Sequence, residues 1–69
     1  MPLMFLKPGD SSIITRITGK PETRRFLENL GFVVGTPITV VNEISGNIIV
    51  VVKEARVAIN REMAMNIHV

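Results

Sequence analysis

Residues 36–59 read Thr36-Pro37-Ile38-Thr39-Val40-Val41-Asn42-Glu43-Ile44-Ser45-Gly46-Asn47-Ile48-Ile49-Val50-Val51-Val52-Lys53-Glu54-Ala55-Arg56-Val57-Ala58-Ile59. The stretch opens on a turn, Val34-Gly35-Thr36-Pro37. Ile38 to Glu43 then alternates apolar and polar residues, apart from Val41, as a half-buried strand does. Ser45-Gly46-Asn47 is turn chemistry. Ile48 to Lys53 reads as a second strand, and Lys53-Glu54-Ala55 turns it back onto a third, Val57 to Ile59. Three strands joined by short turns form an antiparallel meander, which makes the chain mainly β.

Upstream, Pro8-Gly9-Asp10 is a turn, and Ser12 to Ile17 reads as one strand rich in β-branched residues. Gly19-Lys20-Pro21 breaks it. Pro21 suits the first position of a helix, where its missing N–H costs little, and Glu22 in the first turn complements the helix dipole. Phe26, Leu27 and Leu30 recur at helical spacing as one apolar stripe. Gly31 suits the left-handed residue that ends a helix, with Phe32 packing back onto Leu27. The expected helix runs from about 21 to 30. Downstream, Asn60 caps one helical turn, Arg61 to Met65, and Ile67 and Val69 close the chain in a last short strand. Five short strands with one apolar face predict a small closed or nearly closed barrel, which removes exposed edges.

Composition narrows the chemistry. The chain has 69 residues, one domain over 1–69, with 46% hydrophobic and 20% charged residues. That is too apolar and too weakly charged for disorder. Cysteine is absent and His68 is the single histidine. Disulfides, thiolate zinc sites, iron–sulfur clusters and cysteine nucleophiles are therefore excluded, and core packing alone must hold this small domain. Eight Lys/Arg against six Asp/Glu leave a net charge of +2, weak evidence for nucleic acid or an anionic membrane. The longest apolar run, Ile48 to Val52, is far short of the ~20 residues of a membrane span. Met1 to Leu6 lacks a basic leader and is too short for a signal peptide, which favours the cytoplasm.

No enzyme chemistry is legible. Asp10, Glu22, Glu28, Glu43, Glu54 and Glu62 are dispersed, and general acid–base catalysis needs groups that converge. Ser11, Ser12 and Ser45 lie in or beside turns, with no base placed to activate them. Gly31-Phe32-Val33-Val34-Gly35-Thr36 lacks the glycine spacing and lysine of a phosphate loop.

Three blocks carry a family resemblance. Leu6-Lys7-Pro8-Gly9-Asp10 followed by Ile14 and Ile17 resembles the start of FeoA-type proteins. Arg25-Phe26-Leu27-Glu28-Asn29-Leu30-Gly31-Phe32-Val33-Val34-Gly35-Thr36 resembles their helix and following turn, and Val57 to Val69 resembles their closing block. The resemblance spans almost the whole chain in order. It implies an SH3-like five-stranded barrel with one inserted short helix and a one-turn C-terminal helix. It also implies a non-catalytic cytosolic accessory protein that docks on the ferrous-iron transporter FeoB and modulates iron(II) uptake. The same fold forms the C-terminal domain of metal-dependent repressors of the diphtheria-toxin-repressor type, so a free-standing relative of that domain is an alternative. The family commonly has a glycine where Glu54 or Ala55 stands, which predicts a longer or differently shaped hairpin here.

Side-chain alternation locates a candidate surface. With Ile38, Val40, Ile48, Val50, Val52, Val57 and Ile59 facing inward, Val41, Ile49, Val51 and Ala58 share the outer face. Small proteins seldom expose a contiguous apolar patch without use. The face is a docking or self-association surface, unless the helix or Leu3 to Leu6 covers it. Lys20, Arg24 and Arg25 form a basic cluster suited to an acidic partner, or a solvated helix face.

No cofactor and no bound metal are expected. His68 lacks a convergent partner, because nothing in the spacing brings Glu43 or Glu62 to it. In the stretch where the repressors place metal-binding groups, only Glu22 qualifies, and cations surround it. The four methionines, with Phe26 and Phe32, are expected in the core. A small basic barrel could instead bind nucleic acid. The absence of Tyr and Trp, with phenylalanines assigned to the core, removes the stacking platforms such a protein needs, so no nucleic acid is expected.

Overall fold

The computed structural model describes all 69 residues. The strands are β1 (Ser11–Ile13), β2 (Arg16–Ile17), β3 (Pro37–Ile44), β4 (Asn47–Val52), β5 (Ala55–Asn60) and β6 (Ile67–His68). The helices are α1 (Pro21–Asn29) and α2 (Arg61–Met65), and a 3-10 turn covers Leu3–Phe5. β1-β3-β4-β5 form one antiparallel sheet in that spatial order, and β2 pairs with β6 in a second sheet of two strands.

The expected meander is present. β3 and β4 pair from Ile38↔Val52 to Ile44↔Asn47, and β4 and β5 from Asn47↔Asn60 to Val52↔Ala55. Both connections are two-residue turns, Ser45-Gly46 and Lys53-Glu54. All four turn residues have positive φ: 50° at Ser45, 81° at Gly46, 49° at Lys53 and 65° at Glu54. This is the type I′ geometry that matches the twist of paired strands. The second hairpin is therefore as tight as the first, not longer, although neither of its turn residues is glycine.

Two expectations of the topology are corrected. Ser12 to Ile17 is not one strand. The chain leaves the larger sheet at Ile14, whose N–H donates to the Thr36 carbonyl at 3.0 Å, and joins the smaller at Thr15, whose N–H donates to the His68 carbonyl at 2.8 Å. There are thus six strands in two sheets, and backbone pairing does not close a five-stranded barrel. The two sheets share one core instead.

That core is Leu3, Ile14, Leu27, Phe32, Ile38, Val40, Ile48, Val50, Val52, Ile59, Ala64 and Ile67. Every inward assignment on β3 and β4 holds, and β5 contributes Ile59 with Val57 partly buried against the cluster. α1 starts at Pro21 and ends with the Phe32 N–H donating to the Leu27 carbonyl at 3.0 Å, past Gly31 at φ 109°. Asn60 caps α2, its side-chain oxygen accepting the Met63 N–H at 2.8 Å.

The core expectation fails at Phe26, which is 49% exposed. A nine-residue helix that packs on one side offers a narrow buried stripe, and Leu27 and Leu30 occupy it. Of the methionines, Met4 and Met63 pack against the core while Met1 and Met65 are exposed.

Candidate functional site

The outer face of the larger sheet is built by cross-strand rows. Thr39, Val51 and Arg56 are in register, as are Asn42, Ile49 and Ala58. Ser11 stands opposite Thr39, their hydroxyl oxygens 2.8 Å apart. Ile49 and Val51 are half-buried and Ala58 is exposed; none of the three belongs to the core or packs against it. Val41 is displaced from strict alternation. It is the extra residue of a bulge between Val40, opposite Val50, and Asn42, opposite Ile49. A bulge sets two residues against one, and Val41 is half-buried beside Asn42.

No helical segment lies over this face. The buried residues of the 3-10 turn, α1 and α2 are Leu3, Leu27 and Ala64, and all three join the inner cluster. The patch also extends further than alternation in the meander alone indicates. Ile13, opposite Pro37 on β1, is 47% exposed, and Ile44, at the far end of β3, is 51% exposed.

The basic cluster sits elsewhere. Arg24 and Arg25 border an open groove of about 510 Å³ between α1, β2 and the segment after α1. Lys20, the exposed residue before the first turn of α1, does not line it. Arg16 on β2 joins the rim, and Ile17, Val33 and Val34 supply apolar lining. The sequence gives no signal of Arg16's place, because the groove exists only once residues 32–34 fold back beside β2.

His68 stands opposite Arg16 in the small sheet. Partial burial lowers its pKa, and the Arg16 guanidinium and the N-terminal amine lower it further. No three His, Cys, Asp or Glu side chains come together as a metal site. Glu22 is exposed in the first turn of α1.

The model of the FeoA domain matches residues 1–69. The chain belongs to the FeoA family. It is similar to a solved iron uptake regulatory protein, also a FeoA, at 33% identity and a TM-score of 0.88, over 96% of this chain and 88% of the other. It is also similar to the zinc-complexed FeoA of Stenotrophomonas maltophilia, described as a prokaryotic SH3-domain protein. The TM-score is 0.85 at 23% identity, over 99% of this chain and 87% of the other. A manganese-dependent transcriptional repressor shares the fold at a TM-score of 0.86 and 24% identity. There the match covers 97% of this chain and 39% of the repressor. These likenesses make the arrangement SH3-like, with the repressor carrying it as one part of a longer chain. No protein of curated function matches the chain. No helix of this FeoA-family member is long and apolar enough to cross a membrane.

Proposed function

We propose that this chain is a non-catalytic accessory protein of ferrous-iron uptake that works in the cytoplasm by docking on a FeoB-type membrane transporter. Membership of the FeoA family supports the process, and two relatives are described as an iron uptake regulator and as possibly a ferrous iron transport activating factor. The observation that carries the docking is the outer sheet face, where Ile49, Val51 and Ala58 lie with no helical segment over them and Val41 stands in the bulge beside Asn42. Such a patch gives apolar complementarity at the centre of an interface, while charged residues at its rim orient the partner. An accessory protein acts by binding one state of its partner better than another.

The test is an NMR titration of the labelled chain with the soluble G-protein domain and with the whole detergent-solubilised transporter, each with and without nucleotide. Shifts confined to the outer face are expected. Ile49→Glu should weaken binding by at least ~30-fold, the effect of losing a central contact of ~2 kcal/mol, while leaving the spectrum of the core unchanged. Unaltered binding by this variant, or no shifts with either partner, overturns the proposal. Shifts that depend on the chain's own concentration would assign the face to a second copy.

A further inference from the structure

We infer that the groove between α1 and β2 binds a short acidic peptide segment with a bulky apolar residue, at a site separate from the sheet face. Three guanidinium groups, Arg16, Arg24 and Arg25, line this groove against one carboxylate, Glu28. The wider chain has only a small cationic surplus, eight Lys/Arg to six Asp/Glu. The groove therefore concentrates positive charge that the composition alone does not require. All three arginines are exposed, so their donors face solvent and are free to take carboxylates in bidentate pairs.

The lining selects among anions. Val34 is 58% exposed in the groove wall, and Val33 and Ile17 are half-buried beside it. An inorganic anion would leave this apolar surface in water. A peptide that sets carboxylates on the arginines and an apolar side chain against Val33 and Val34 covers both. Nucleic acid fits less well. Phe5 and Phe26 are exposed rather than in the core, but neither lines the groove. Single-strand binding needs aromatic platforms beside the basic track.

The inference does not depend on transporter docking, because the groove and the outer face share no residue. Its test uses the chain alone. The probe is a fluorescent peptide of glutamates and aspartates around a central Leu-Phe pair. The controls are the same peptide with glutamine and asparagine replacing the acids, and inorganic phosphate. Saturable binding is expected, weakening as salt rises, with amide shifts at Arg16, Ile17, Arg24, Arg25, Val33 and Val34. The double variant Arg24→Glu/Arg25→Glu should lose about tenfold or more in affinity. Arg24→Gln/Arg25→Gln should fall between it and the parent. Both substitutions are on exposed helix positions and should leave the remaining spectrum in place, and Ile49→Glu should bind the peptide as the parent does. Absence of saturable binding overturns the inference. So does equal binding of the neutral peptide, or phosphate producing the same shifts that the peptide cannot displace. None of these outcomes bears on the transporter.

Discussion

The β3–β5 meander and the structure around it are built on different principles. In the meander, neighbours in sequence are neighbours in space, two-residue turns set the register, and alternate residues enter the core. Around it, the pairings join opposite ends of the chain. β2 pairs with β6, Pro2 bridges to His68, and the Met1 amine donates to the Val69 carbonyl at 3.0 Å. α1 is fixed to the core chiefly by Leu27, Leu30 and the following Phe32. The contrast separates a locally encoded framework from a periphery whose closure costs chain entropy before any contact repays it. Both candidate sites follow from it. The outer face belongs to the framework, and the groove is lined entirely by the periphery, from β2 through α1 to Val34.

The largest effect that tests this contrast is at Leu27, fully buried on α1. Leu27→Ala removes a core side chain and should cost about 2–5 kcal/mol, against roughly 3–10 kcal/mol of total stability for a domain of this size. Amide exchange should then show α1 opening at lower free energy than β3–β5. Simultaneous loss of protection in α1 and the meander would make the two regions a single cooperative unit and break the comparison.

A smaller effect of opposite sign is expected inside the meander. Lys53 and Glu54 both have positive φ, which costs an L-residue other than glycine roughly 1–2 kcal/mol. Lys53 has a compensation. A Cβ placed on Gly31 would lie 3.7 Å from its Cδ, so the lysine stem runs close over the end of α1. Glu54 is simply exposed in the turn. Glu54→Gly should therefore raise stability by about 0.5–1 kcal/mol, since the added unfolded-state entropy of glycine offsets part of the relief. Thermal unfolding of the two chains measures it. A lower melting temperature in the glycine variant would mean that Glu54 makes a contact the turn depends on.

The same contrast governs what is legible in the sequence. Alternation and turn residues give β3, β4 and β5 and their inward faces, so Ile49, Val51 and Ala58 are found from parity alone. Val41 breaks alternation, and the reason is a bulge set by pairing rather than by its own identity. Pro21, Gly31 and Asn60 mark helix ends because capping chemistry is local. Ser12 to Ile17 hides its break, since no turn residue lies within it and the kink at Ile14 and Thr15 is imposed by partners distant in the chain. Phe26 is misjudged because a helical stripe shows which residues could be buried, not how wide the facing surface is. The Arg16 side of the groove has no local signature at all.

The smallest predicted effect sharpens the periphery itself. His68 is held below the usual histidine pKa by burial, then by Arg16, then by the N-terminal amine. Across β2 and β6, Arg16 is its register partner, and the Met1 amine is joined to the next residue, Val69. Protonation therefore adds a third positive charge to a place that already holds two. Because the folded pKa is depressed, the unfolded chain takes up a proton first as pH falls below about 6.5. Stability should then decline with falling pH until the folded histidine is also protonated, and change no further through this group below that point. His68→Gln should flatten this part of the profile. The difference in melting temperature between the two chains at pH 7 and pH 5 isolates the effect. If exchange protection of the β2 and β6 amides falls with pH before that of the meander, the termini open as a separate unit. If both fall together, the long-range closure is part of the framework, and the division drawn between local and distant pairing holds for the sequence but not for the stability of the fold.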